Sequence, residues 1–135
     1  MARQTGGIKV KRGVIGVMSN GPRLLMVRRG PCVSRPGYWC FPGGHLEAGE
    51  TPGRAIIREI REELSVEVAL RSRLRAVRLP DVGYVLAVWI VDHLRGELQP
   101  TPAEVAETRW CTPGEIRALE PALPSNERVL QMLEV

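Results

Sequence analysis

No stretch of this 135-residue sequence reaches the roughly 18–20 apolar residues that a membrane-spanning helix requires; the longest clean apolar run is Tyr84–Val91. The amino-terminal Met-Ala-Arg-Gln-Thr-Gly-Gly is followed by no apolar core segment, so no secretion signal is expected, and a cytoplasmic location is the default. Cysteine is scarce: Cys32, Cys40 and Cys111 are odd in number and show no CxxC or Cys/His spacing. That excludes a disulfide framework and a zinc site, and leaves the three as small residues packed in or near the core. No run of five or six like charges occurs, so no nucleic-acid polymer is expected as a partner. Repeats, low-complexity segments and linkers are also missing, which points to a single domain over residues 1–135. Nor is the chain poor in core residues. A 44% hydrophobic and 25% charged composition excludes disorder.

What is present begins with charge. Nearly all of the 19 basic residues are Arg, set against 15 acidic ones, for a net charge of +4. Arg is the better bidentate partner for phosphate, so an anionic ligand is compatible with this surface. Along the chain, Ile8–Met18 passes from alternation to nearly continuous apolar character and is expected as a strand entering a core. Asn20-Gly21-Pro22 signals a turn, with Leu24–Arg29 as the second strand of a hairpin. Residues 30–37 form a loop, and Gly43-Gly44 are expected in a turn that exploits glycine's conformational freedom. Thr51–Leu64 is the clearest helix: Thr51 is a good N-cap, Pro52 suits the first helical position, and Ile56, Ile57, Ile60 and Leu64 make one apolar face. Val66–Leu79 and Gly83–Val91 are expected as strands either side of a Pro80-Asp81 turn. Beyond them come a loop (96–103), a short strand (Glu107–Cys111), a short helix (Pro113–Leu119), and a last helix capped by Ser125 or Asn126 that runs to the chain end. Strands mixed with few helices imply an α/β fold with helices packed on a mixed sheet.

The chemistry concentrates in residues 44–66. Glu59, Glu62 and Glu63 stand at i, i+3 and i+4 of the helix and share one face, offset from the isoleucines. Like charges so placed repel, and a hard divalent cation turns that repulsion into ligation; carboxylates suit Mg²⁺ or Mn²⁺. Taken alone, the pattern fits a solvated acidic face better, since Arg54, Arg58 and Arg61 interleave with the glutamates. The preceding segment adds Glu47 and Glu50 at the helix start, where carboxylates are favoured by the helix dipole. Glu50 is also placed to pair with Arg58.

Gly44, five residues, Glu50, seven residues, then Arg58-Glu-Ile-Arg-Glu-Glu-Leu-Ser-Val66 closely resembles the Nudix box. Gly44, Glu50, Arg58, Glu59, Ile60, Glu62, Glu63 and Val66 match it; Ser65 stands where the family usually has Gly. Gly there follows the helix in a left-handed conformation, which Ser adopts at a cost of about 1 kcal/mol. Trp39-x-x-Pro42-Gly43-Gly44, Leu24–Arg29 and Glu107–Trp110 extend the resemblance outward. It implies an α/β/α sandwich with a central mixed sheet, and a Mg²⁺-dependent hydrolase (Mn²⁺ as the alternative ion) of a diphosphate linkage in a nucleotide. It further implies that Glu59, Glu62 and Glu63, with the Gly44 carbonyl, form the metal site. Glu50 and Arg58 support the catalytic group. The water's base is Glu59, or Glu104 or Glu107 from the later loop.

In the MutT-like branch a further glutamate lies six residues before an aromatic, and Glu104 so precedes Trp110. Arg29, with Gly43, is the expected contact to the substrate; alternation sends Arg28 and Arg29 to opposite faces, and a surface salt bridge is the other reading of each. Asn126 resembles the purine-binding Asn of the same branch, though an N-cap role competes. Pro80 and Tyr84 fall near positions seen in ADP-ribose and diadenosine-polyphosphate hydrolases. Tyr38, Trp39 and Trp110 are candidates for stacking on a base, with packing as the alternative. A nucleoside triphosphate is the favoured substrate, a homodimer is open to a chain of this family, and a Nudix-fold binding module without turnover is the alternative of another class.

Overall fold

Residues 13–18 are too apolar for either face of their strand to remain in water. The computed structural model, which describes residues 10–133, buries all six at the centre of strand β1 (Lys11–Asn20). A hairpin through Gly21-Pro22 leads to β2 (Arg23–Arg29), with Asn20 paired to Arg23. Two short strands, β3 (Trp39–Cys40) and β4 (Gly43–His45), precede helix α1 (Pro52–Leu64). Strands β5 (Glu67–Arg73), β6 (Val77–Leu79) and β7 (Tyr84–Arg95) follow, then β8 (Val105–Cys111), α2 (Pro113–Ala118) and α3 (Ser125–Met132). Ile8 and Lys9, expected in the first strand, lie outside the described residues, as do the last two residues of the chain.

The sheet runs β3-β2-β1-β7-β5, with β4 paired to β1, β6 to β7 and β8 to β2. It is mixed because β1 and β7 run parallel, from Lys11 opposite Tyr84 to Met18 opposite Val91. Val14 and Met18 share a core with Ile56, Ile60 and Leu64 of α1. The alternate residues Ile15 and Val17 share another with Ile116 of α2 and with Val129 and Leu130 of α3. This is the expected α/β/α sandwich. Among the described residues, no helix is long and apolar enough to cross a membrane.

Four local expectations are corrected. Gly43 and Gly44 do not form a turn but lie in β4, antiparallel to β1, opposite Ile15 and Val14. Glycine is needed there for closeness: a Cβ on Gly43 would fall on the Val14 carbonyl oxygen. The stretch Val66–Leu79 is two strands, because the chain leaves the ladder at residues 74–76 after β5 has paired as far as Trp89, and β6 re-pairs on the other half of β7. Helix α3 is capped by neither Ser125 nor Asn126: both are buried within its first turn, and Pro124 holds the N-cap position without a side-chain bond. Finally, all three cysteines are free and two are buried, but Cys32 is exposed in the loop after β2. That loop leaves the sheet at Gly30-Pro31, which carries Cys32 away from the core.

Candidate active site

Helix α1 starts as its sequence demands, with the Thr51 hydroxyl accepting from Arg54 N–H at 3.3 Å and Pro52 at the first position. It ends with Ser65 in the left-handed conformation at φ 63°, where the family pattern carries Gly, and the Ser65 N–H donates to the Arg61 carbonyl at 3.0 Å. With Ile56 and Ile60 fully buried against the sheet, Glu59 and Glu63 meet the β4 strand at Gly44 and Gly43.

Arg58 is the hub of this junction. It grips Glu50 with two bonds, Nε to Oε2 at 2.6 Å and Nη2 to Oε1 at 2.8 Å. Its Nη1 reaches Glu59 at 3.0 Å and Glu62 at 3.1 Å, and its Nη2 donates to the His45 carbonyl at 3.1 Å. Glu50 in turn accepts from the Glu47 N–H at 3.0 Å, so the loop between β4 and α1 is braced as expected. A planar, always-charged fork is required for so many simultaneous bonds, and Lys cannot replace it.

Hydrogen bonds from Arg58 hold the Glu50 carboxyl down, from an ordinary 4.5 to about 2. A depressed carboxylate stabilises the fold above its unfolded-state pKa, and that contribution is lost as pH falls through its folded value. The melting temperature of the metal-free protein should therefore drop between pH 4.5 and about 2. Glu50→Gln should flatten this dependence; equal slopes in wild type and variant would remove Glu50 as its cause.

Glu59 and Glu63 behave oppositely. Burial is the largest cause for each, and it pushes the Glu63 carboxyl well up and the Glu59 carboxyl up. Glu59 then adds its charge against Glu63, and the charge of Glu104 raises both. The backbone N–H of Gly43 opposes this for Glu63, donating to Oε1 at 3.2 Å. A Cβ on Gly44 would overlap the Glu59 carboxylate, so Gly44 leaves that group room against the backbone. Glu59 thus sits against Gly44 and Glu63 against Gly43, and both feel the charge of Glu104. Glu62 is half-exposed and turned to Arg58. Among the described residues, no three His, Cys, Asp or Glu side chains already stand as a ready-made metal-holding group. The set of donors is nonetheless all hard carboxylate oxygen, two of them raised by burial and by neighbouring carboxylates, which fits Mg²⁺ or Mn²⁺.

The remaining candidates divide. Arg29 binds Ser34 through Nε to the carbonyl and Nη2 to Oγ at 2.9 Å, while its charge opposes the rise at Glu63, so it lies on the carboxylate side. Arg28 instead pairs with Glu107 at 3.1 Å, and Glu107 also holds Arg109 at 3.0 Å. Of the two later glutamates, Glu104 adds its charge against Glu59 and Glu63, while Glu107 is engaged by Arg28 and Arg109. Asn126 is buried, and its Nδ2 donates to the Trp39 carbonyl at 3.0 Å, while its Oδ1 has no partner within the protein. Trp39 is itself 5% exposed and covered by the Arg109 guanidinium at 4.6 Å. Tyr84 places its hydroxyl 3.1 Å from the His45 ring, next to Gly44. Thr101, which no sequence pattern singled out, bonds the carbonyls of Glu62 and Glu63; its one local mark is a position between Pro100 and Pro102.

The NUDIX domain family profile matches residues 9–133, nearly the whole chain. The chain belongs to the Nudix family. Among its relatives is the 8-oxo-dGTP diphosphatase of Proteus vulgaris, 34% identical over 86 residues, covering 62% of this chain and 77% of that protein. The NAD-capped RNA hydrolase NudC of Pseudomonas aeruginosa is 26% identical over 93% of this chain, which spans only 43% of NudC's length. In fold the chain resembles the MutT NUDIX hydrolase from Burkholderia pseudomallei, with a TM-score of 0.75, 22% identity and coverage of 93% of this chain and 98% of the other.

Proposed function

We propose that residues 1–135 form one Nudix hydrolase domain, a Mg²⁺-dependent pyrophosphohydrolase that cleaves a nucleoside triphosphate by water attack on phosphorus. Oxidised dNTPs are the favoured substrates. The observation that carries this reading is the gathering of Glu50, Glu59 and Glu62 by Arg58, with the Glu59 carboxylate seated against Gly44 and Glu63 held by the Gly43 N–H. Glu59, Glu62, Glu63, Glu104 and the Gly44 carbonyl would hold the ion. When bound it neutralises phosphate charge and lowers the pKa of the attacking water. Glu59 accepts the water's proton: it is largely buried, its pKa is raised, and Arg58 fixes its orientation. Arg29 and the Gly43 main chain meet the phosphates, and Glu50 keeps Arg58 in place. Relatives named for 8-oxo-dGTP support the choice of substrate.

Asn126 bears on the base. Its donor is occupied by Trp39, but the buried Oδ1 retains an unused acceptor that a purine edge could satisfy. The second reading, a diadenosine-polyphosphate or ADP-ribose hydrolase, is favoured by Tyr84, which stands against His45 beside the box.

Incubation with Mg²⁺ and a panel of dGTP, 8-oxo-dGTP, other dNTPs, ADP-ribose and diadenosine tetraphosphate separates these readings. Wild type is expected to release pyrophosphate and a monophosphate from the purine triphosphates, with Glu62→Gln strongly impaired. Equal background rates for both on every substrate would leave only a binding module. Asn126→Ala should narrow the preference for guanine over pyrimidine substrates; unchanged discrimination rejects its role in reading the base.

A further inference from the structure

The four carbonyls at the end of α1 have no partner within the helix, yet every one is satisfied. Ser65 N–H takes Arg61 O at 3.0 Å, and the other three are bonded by the segment after β7. Gln99 N–H donates to Leu64 O at 2.9 Å and Thr101 N–H to Glu63 O at 2.8 Å, while the Thr101 hydroxyl donates to Glu62 O at 2.6 Å. The Ser65 hydroxyl returns a bond to the Gln99 carbonyl at 3.1 Å, one that Gly at that position does not make.

The same segment carries Glu104, whose peptide groups are held from both sides. Its N–H donates to Thr101 O at 2.9 Å, and its carbonyl accepts from Gly30 N–H at 2.9 Å, one residue after Arg29. Thr101 O also accepts from Val105 N–H at 2.8 Å. Gly30 fits against this segment only because it lacks a Cβ, which would come within 2.7 Å of Ala103 O and 2.8 Å of Glu104 C. The donor, acceptor and hydroxyl of one residue, Thr101, therefore link the turn bearing Glu62 and Glu63 to the turn bearing Glu104.

We infer that Thr101 is a positioning residue of the metal site, which sets the place of Glu104 relative to Glu59 and Glu63. This rests on the proposed reading that Glu104 is a ligand. Partners that orient a ligand characteristically change metal affinity by about 10–100-fold when removed. Thr101 acts at one further remove, through the main chain, so the low end of that range is expected.

The test is Mn²⁺ binding to the intact chain, measured from the free-ion electron paramagnetic resonance signal without substrate. Thr101→Val keeps the side-chain shape and removes the hydroxyl; it is expected to weaken Mn²⁺ binding about 10-fold. Thr101→Ser restores the bond and should stay within about twofold of wild type. In a Glu104→Gln background, Thr101→Val should cause no further loss, because the two act through one ligand. Wild-type affinity in Thr101→Val, or an equal loss with and without Glu104, overturns the inference. If Thr101→Val does not fold, Gly30→Ala disturbs Glu104 from the opposite side and should show the same dependence on Glu104; a loss independent of Glu104 overturns it equally. Should Glu104→Gln bind Mn²⁺ as tightly as wild type, the ligand assignment itself fails, a result distinct from failure of the Thr101 linkage.

Discussion

Glu59→Gln is expected to lower kcat on the order of 10²–10⁴-fold at saturating Mg²⁺, the range associated with losing a positioned acid–base group. The side chain is 14% exposed, held by Arg58 at 3.0 Å and seated where a Cβ on Gly44 would stand. An amide of the same shape fills that space but cannot take a proton from water. Stability should not follow activity downward. Glu59 raises Glu63 by charge, and Glu104 raises both, so neutralising Glu59 relieves repulsion among buried carboxylates. The signature is thus a collapsed kcat with a melting temperature in EDTA equal to or above that of wild type. Steady-state kinetics and thermal melts on Glu59→Gln and Glu104→Gln measured together also test the assignment of the base. A Glu59→Gln enzyme within threefold of wild type, beside a dead Glu104→Gln, would move the proton acceptor to Glu104.

The largest loss of stability is expected from Gly43→Ala. The added methyl would fall on the Val14 carbonyl oxygen, a backbone atom at the centre of buried β1 that has nowhere to go. Relief requires β4 to leave β1, which also takes Gly43 N–H from Glu63. Such overpacking costs about 3 kcal/mol, or roughly 10 °C in Tm for a chain of this size. Gly44→Ala provides the contrast. Its methyl meets the Glu59 carboxylate, the end of a side chain that can swing aside, so the fold should tolerate it better while activity falls. Melting curves and kcat for both variants check the distinction. Equal destabilisation by the two would show that contact with Val14 is not what makes Gly43 necessary.

These two glycines also mark the limit of what is legible locally. Their type and spacing pointed to the box, but not to a strand, because Gly43 is required by closeness to β1, about thirty residues earlier, and Gly44 by the Glu59 carboxylate, fifteen residues later. The division of Val66–Leu79 into β5 and β6 is similar: each half fits a strand by itself, and only its pairing with β7 separates them. Asn126 had the local marks of an N-cap, and the fold uses it instead to hold Trp39, eighty-seven positions away.

Local sequence determined helix α1 almost completely. Its N-cap, first-turn proline, isoleucine face and i, i+3, i+4 glutamates all depend on residues within four of one another, and helical geometry fixes those relations without a partner. The pairing of Glu50 with Arg58, eight positions on, and the family of the chain were also legible in the sequence. Tertiary structure decided how the outside segments stand to that helix: Arg28 is taken by Glu107 and Arg29 by Ser34, and Thr101 links the helix's end to the loop bearing Glu104. Those choices follow from strand register and from satisfying the helix's last carbonyls, and both are settled by segments that only folding brings together.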